Sequence, residues 1–324
     1  MDFSLSIDEQ LFISSVESLL SDHQELPQNS RSKAYYFDSQ LQAELKNQGY
    51  LDAAIELGPV AGALLVMATA RLSPIVEVGA SALVRPMVIP KQPLESPIVL
   101  IDMAEPRRTY RFLPVAASAL LVKGDDIEVM RVDPVQVEEV DSIQAYPYGK
   151  FVNPREIFSC RLVAGGASRL RQWWRVAIAA EMAGAADAAV DFTVQFAKER
   201  EVLGRPIGSF QAVQHRLSQC RQIANGMRWL TLRAAWSGEV KDANLAACYA
   251  QQQVGKLVFD LHQFNGAMGL TNEHLLHFWT YRLRALQNEV GGAYSAALDV
   301  ADSLWSDVEE SIRGANDLIF DVMS

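Results

Sequence analysis

Over roughly residues 1–90, apolar positions recur at helical spacing. Leu11, Phe12, Val16, Leu19 and Leu20 share one face of a predicted helix, with Ser6 and Asp8 placed as cap and first-turn acid. Phe37, Leu41 and Leu45 repeat the pattern and predict a second helix ending near Gly49, a residue free to take the left-handed C-cap geometry. Residues 64–72 are apolar on nearly all sides and stop before Pro74, which predicts a buried helix. Between 91 and 158 the period shortens. Ile98-Val99-Leu100-Ile101 follows Pro97 as a β-type run. Residues 119–122 and 127–132 flank Lys123-Gly124-Asp125-Asp126, which reads as a hairpin. From 159 to 324 long stripes return. One runs Val176, Ala179, Ala183, Ala186, Val190, Val194, Ala197; a second runs Phe210, Val213, Leu217, Cys220, Ala224, Met227, Thr231, Ala234; a third runs Ala247, Ala250, Val254, Val258, Leu261. Gly204-Arg205-Pro206, Gly238 and Gly266-Ala267-Met268-Gly269 mark the ends. Such stripes need one another, so a bundle follows. The expected architecture is mainly α: an N-terminal helical domain over 1–90, a small, mostly antiparallel β domain over 91–158, and a C-terminal four-helix bundle over 159–324.

Composition narrows the function classes. The chain has 324 residues, 49% of them hydrophobic, enough for more than one core. Its formal net charge of −10 argues against nucleic acid or an anionic membrane as a general partner. Cys160, Cys220 and Cys248 are far apart and odd in number, so they make no disulfide framework or zinc spacing, and a cytoplasmic location is expected. The first residues lack the basic and apolar regions of a signal peptide, and no run is long enough for a membrane span. His215, His262, His274 and His277 give no metal set, although His274 and His277 are spaced to share a helical face. Tryptophans 173, 174, 229, 236 and 279 read as packing residues rather than a substrate cage.

Two segments carry chemistry. The first is Arg200-Glu201-Val202-Leu203-Gly204-Arg205-Pro206-Ile207-Gly208-Ser209-Phe210-Gln211, joining two long helices. A guanidinium matches phosphate oxygens with a two-pronged fork, and a helix start adds donors. By itself, Arg200 also reads as a basic residue satisfying a helix C-terminus. The second is Gln263-Phe264-Asn265-Gly266-Ala267-Met268-Gly269-Leu270-Thr271, where glycines let backbone approach a ligand closely, or where a helix simply ends in a turn. Together, in this order and about 50 residues apart, they resemble the signature of the acyl-CoA dehydrogenase family. The resemblance is strongest over roughly 160–295 and faint over the β domain.

It implies FAD as cofactor, with Arg200, Gln211, Gln263, Gly266 and Ala267 at the positions that grip its ADP end. Ala267 stands where the family has glycine. It also implies α,β-desaturation of an acyl-CoA thioester, with the redox chemistry carried by the flavin. Departures from the pattern matter as much. The family's base, a late-loop glutamate, aligns with Gly291; the alternative base position, one residue before an arginine, is Trp174. Glu289 is two residues from the first position and is the only candidate base offered, its other reading being an exposed carboxylate at a helix end. Loss of a carboxylate base costs roughly two to four orders of magnitude in rate. Ala104-Glu105-Pro106-Arg107-Arg108 keeps only two positions of the stretch that cradles the flavin ring and thioester, and Val202 and Leu203 replace a polar residue and a phenylalanine.

In this family FAD lies at a subunit interface, with the bundle contributing to oligomerisation. The pattern therefore resembles the short, degenerate subunit of heteromeric acyl-CoA dehydrogenases that shorten steroid side chains. It implies a partner subunit of the same family, a heterotetramer, and an electron acceptor such as electron-transfer flavoprotein. Two other readings stay open: an active homomer using Glu289, and a flavin-free, non-enzymatic scaffold on the same fold.

Overall fold

The computed structural model describes residues 4–30, 33–103, 109–153 and 161–305. The 104–108 stretch and Cys160 lie outside these residues.

The N-terminal region is helical, as its pattern predicts. Helix α1 (Ile7–Ser21) begins at a capping box: the Glu9 N–H donates to the Ser6 hydroxyl, and the Ser6 N–H donates to the Glu9 carboxylate at 2.7 Å. Only Val16 and Leu20 of its apolar stripe are buried, and Leu11 is 66% exposed. The expected face is thus half used, because α1 rests on a neighbour only along its later turns. Helix α2 (Ser39–Asn47) is capped by Asp38, which accepts the Leu41 N–H, and Gly49 takes the left-handed geometry just beyond it. After the short α3 (Ala53–Glu56), α4 (Pro59–Ala70) starts with proline in its first turn and is buried continuously from Ala61 to Ala70. A π-helical turn, Gly79–Val84, leads into α5 (Arg85–Val88).

Two small sheets follow. β1 (Ile98–Asp102), β3 (Ser118–Lys123), β4 (Asp126–Arg131) and β7 (Arg161–Val163) form one, in the order β1-β3-β4-β7. β2 (Tyr110–Arg111), β6 (Tyr148–Phe151) and β5 (Val137–Val140) form the other. Their pairings are antiparallel except β1 with β3. β3 is buried at every position but Lys123, because both its faces are covered. Leu120 and Val122 join the helical core, while Ala119 and Leu121 join a second core with Val99, Leu113 and Phe151.

The C-terminal bundle comprises α6 (Ala167–Glu199), α7 (Gln211–Ser237), α8 (Val240–Asn265) and α9 (Leu276–Leu286), with a further helical stretch over 292–305. A tight hairpin, β8 (Glu201–Val202) with β9 (Arg205–Pro206), joins α6 to α7. Helix α6 is central and packs on α4, α7, α8 and α9. Its alanine-rich stripe allows this. At the α4 crossing, a Cβ on Gly184 would meet the Met67 carbonyl oxygen at 2.1 Å, so only glycine fits. Arg282 of α9 is 1% exposed and donates to the carbonyls of Ala70, Leu72, Ser73 and Pro74, closing the C-terminal end of α4. Among the described residues no helix is long and apolar enough to cross a membrane.

Candidate functional site

The helices that carry the two sequence motifs pack together at one end of the bundle, where α6 and α8 stop and α7 begins. Three contacts tie the flanks of these segments to the bundle. Asn265 Nδ2 donates to Thr193 Oγ1 at 2.9 Å. The His274 ring lies edge-on to Phe192 and Phe196, with centroids 4.9 and 5.5 Å apart. The Arg216 guanidinium sits over Phe264 at 4.9 Å.

Arg200 follows the last turn of α6, and its carbonyl accepts the Ile207 N–H at 2.8 Å, which closes the hairpin. Leu203 and Gly204 both have positive φ at the hairpin tip, as a tight two-residue turn demands. Leu203 is 89% exposed there. The side chains of Arg200, Gln211 and Gln263 are exposed, and no hydrogen bond or ion pair engages them among the described residues. Phe210 offers no side-chain cap to α7, so the first-turn N–H groups beside Gln211 lack one. Gly266 has φ 59° and ψ −152° at the end of α8, and Ala267 follows it, exposed. A Cβ on Gly266 would meet nothing within 4 Å, so open space faces this turn. Beneath it, Asn265 Oδ1 and His274 Nδ1 are buried without partners among the described residues. A free guanidinium, two free amides and an open glycine turn suit the phosphate and sugar end of a dinucleotide. They fit the ADP portion of FAD, whose flavin ring would supply hydride chemistry when bound.

A second, interior site lies between the sheets and the helices. Trp174, at one of the base positions marked in the sequence, and the candidate base Glu289 border it. Glu77, Gly79, Arg111, Trp174, Glu181 and Glu289 are among its lining residues, and its volume is about 60 Å³. Glu289 is not the exposed carboxylate of one reading. It is 4% exposed, because the turn after α9 folds it inward against the second sheet. Arg111 Nε donates to Glu289 Oε1 at 3.0 Å and Nη2 to Oε2 at 3.4 Å, so both carboxylate oxygens are engaged. Arg111 Nη1 donates to Glu181 at 2.9 Å, and the Tyr146 hydroxyl donates to the other Glu181 oxygen at 2.7 Å. Burial works against the Arg111 charge, but Glu181 and Glu289 outweigh it and hold its pKa well above the ordinary value. Arg282 shows the opposite balance. Its partners among the described residues are all carbonyls, and burial pushes it down to about 10. Burial also raises the Glu77 pKa against opposing donation from the N–H groups of Ala80, Ser81 and Ile98. Arg175 turns away from the cavity to Asn244 and Ser295.

Several expectations need correction. His274 precedes α9 while His277 lies inside it, so they do not share a helical face; the chain breaks between them to reach Phe192 and Phe196. Trp173 and Trp279 are packing residues, but Trp236 is 72% exposed because it points off the outer face of α7. Trp174 packs against the core and also borders the interior cavity. Arg111 and Glu181 went unremarked in the sequence. Glu181 had a signal, a carboxylate inside an alanine-rich stretch that it shares with Asp187; Arg111 had none.

Comparison with known proteins adds the relationship. Residues 168–298 match the acyl-CoA dehydrogenase C-terminal domain. The 3-(aryl)acrylate reductase of Clostridium sporogenes is 34% identical over 105 residues, 31% of this chain and 28% of that protein. Acyl-CoA dehydrogenase IpdE2 of Mycolicibacterium smegmatis is 26% identical over 167 residues, 50% of this chain and 54% of that protein. The matched stretches thus span only 28% and 54% of these relatives' own lengths. Among solved structures, the ChsE4-ChsE5 complex from Mycobacterium tuberculosis aligns with a TM-score of 0.77 at 20% identity, covering 94% of this chain and 99% of that chain. At that identity the likeness carries the fold, which solved acyl-CoA dehydrogenases share. Residues 168–298 thus match the acyl-CoA dehydrogenase C-terminal domain, and the described length of the chain has the fold that solved acyl-CoA dehydrogenases share.

Proposed function

We propose that this chain is an FAD-contacting subunit of a heteromeric acyl-CoA dehydrogenase. It grips the ADP end of the cofactor with Arg200, Gln211, Gln263 and the Gly266-Ala267 turn, while a partner subunit of the same family supplies the ring cradle and the base. The observation that carries this reading is the contrast between the free Arg200 and the fully engaged Glu289. A base must reach a substrate proton, and Glu289 has both oxygens committed inside a cavity of about 60 Å³. The ChsE4-ChsE5 complex supports the heteromeric arrangement by its name alone. The substrate in this reading is an acyl-CoA thioester, a steroid side-chain thioester being the first to try, with electron-transfer flavoprotein as acceptor.

The test is purification of the chain alone and co-expressed with an intact acyl-CoA dehydrogenase chain as candidate partner. The co-expressed assembly is expected to carry bound flavin and desaturate acyl-CoA, and the lone chain to be inactive. Arg200→Ala in the assembly should weaken flavin retention about 10–100-fold, the worth of a charge-assisted contact. Turnover by the lone chain would instead favour the homomer using Glu289. Absence of flavin from every assembly would favour the scaffold.

A further inference from the structure

The interior cavity is lined by the carboxylates of Glu77, Glu181 and Glu289. Like charges held together away from water need a counter-charge. Arg111 supplies it from β2, on the second sheet, and each of its three guanidinium nitrogens donates to Glu181 or Glu289. Its cationic carbon also lies 5.0 Å from the Phe112 ring centroid and 4.7 Å from that of Tyr146. The backbone is bent to make this possible. Phe112, next to Arg111, has φ 67°, and Val290, next to Glu289, has φ 51°. Bulky and β-branched residues rarely enter that region, and their coincidence beside the two partners aims Arg111 and Glu289 at each other. What remains is about 60 Å³, room for water but not for an acyl chain or an aromatic ring.

We propose that Arg111 is a built-in plug: its guanidinium occupies the cleft between the second sheet and the helices and holds Glu289 out of use. The chain closes its own interior site with its own side chain. This inference stands apart from the cofactor contacts at the bundle end, and its test contains no flavin.

Trp174 is the reporter, because it borders the cavity and its indole N–H is buried without a partner among the described residues. Arg111→Met is compared with Arg111→Met/Glu181→Gln/Glu289→Gln, which has no stranded carboxylate. Each is paired with a Trp174→Phe version so that the Trp174 signal is obtained by difference during acrylamide quenching. The single variant should lose about 5–10 °C of Tm, much of it recovered in the triple variant. In both, Trp174 should lose its shielding. A folded triple variant in which Trp174 stays as shielded as in the unmutated chain would overturn the plug. The unmutated chain gives a reading that needs no variant. Amide exchange at 110–112 and 289–291 should show one common protection, since one contact closes both; independent exchange would also overturn it.

Discussion

At the end of the bundle Arg200 stands exposed with no acidic partner among the described residues, whereas under the sheets Arg111 is enclosed by Glu181 and Glu289. Both are guanidiniums, and both belong to regions where the family resemblance predicts chemistry. They differ in what water already does for them. A solvated guanidinium loses little by having no protein partner, so it stays available to a ligand. An enclosed one must be paired within the chain, and so it is no longer available to anything else. The contrast separates a surface built to be completed by another molecule from an interior that has completed itself.

The largest effect should come from breaking the closed side. Glu181→Ala strips Arg111 of one partner and leaves the buried Tyr146 hydroxyl without its acceptor. Breaking a buried pair from one side costs about 3–5 kcal/mol. Denaturant unfolding should register that loss, whereas Arg200→Ala should fall within about 0.5 kcal/mol of the unmutated chain. If the two substitutions have equal effects, the distinction between the regions fails.

The long stripes from Val176, Phe210 and Ala247 made α6, α7 and α8 legible in the sequence, since helix period and burial coincide there. The hairpin around Gly124 was equally legible, through its turn residues. The interior cluster was not. Arg111 lies 70 residues from Glu181 and 178 from Glu289, and nothing local in β2 signals either partner. Glu289 itself was noticed, but its surroundings depend on a fold-back that spacing cannot express. Leu11 and Trp236 misled in the opposite direction: an apolar residue at helical spacing needs a neighbour to bury it, and pattern alone does not say where neighbours end.

Acid should loosen the open side more gently. Burial holds the His262 and His274 pKa values below the ordinary 6.5, with neighbouring positive charge adding to the effect. Their unfolded forms therefore take up protons first. Stability from keeping these rings neutral is complete above about pH 6.5 and drains as pH falls from there through the lowered folded values. Relative to the intrinsic rate, which itself slows in acid, amide exchange over 266–274 should accelerate reversibly between pH 7.5 and 5.5. His274→Gln, which cannot titrate, should reduce that acceleration; an unchanged response would remove His274 as its cause.

The smallest effect tests the finest point of the comparison. Ala267 lies in the open turn where the family resemblance expects glycine, and its methyl group limits how closely backbone can approach a bound nucleotide. Ala267→Gly should cost about 0.5–1 kcal/mol of stability, because the unfolded chain gains freedom. In an assembly that carries FAD it should nevertheless tighten flavin retention, since a closer backbone donor outweighs a loss confined to folding. Opposite signs in the two measurements are the result expected of a surface shaped for a ligand. If retention falls together with stability, the turn serves only to end α8, and the open side reduces to Arg200 and the two glutamines.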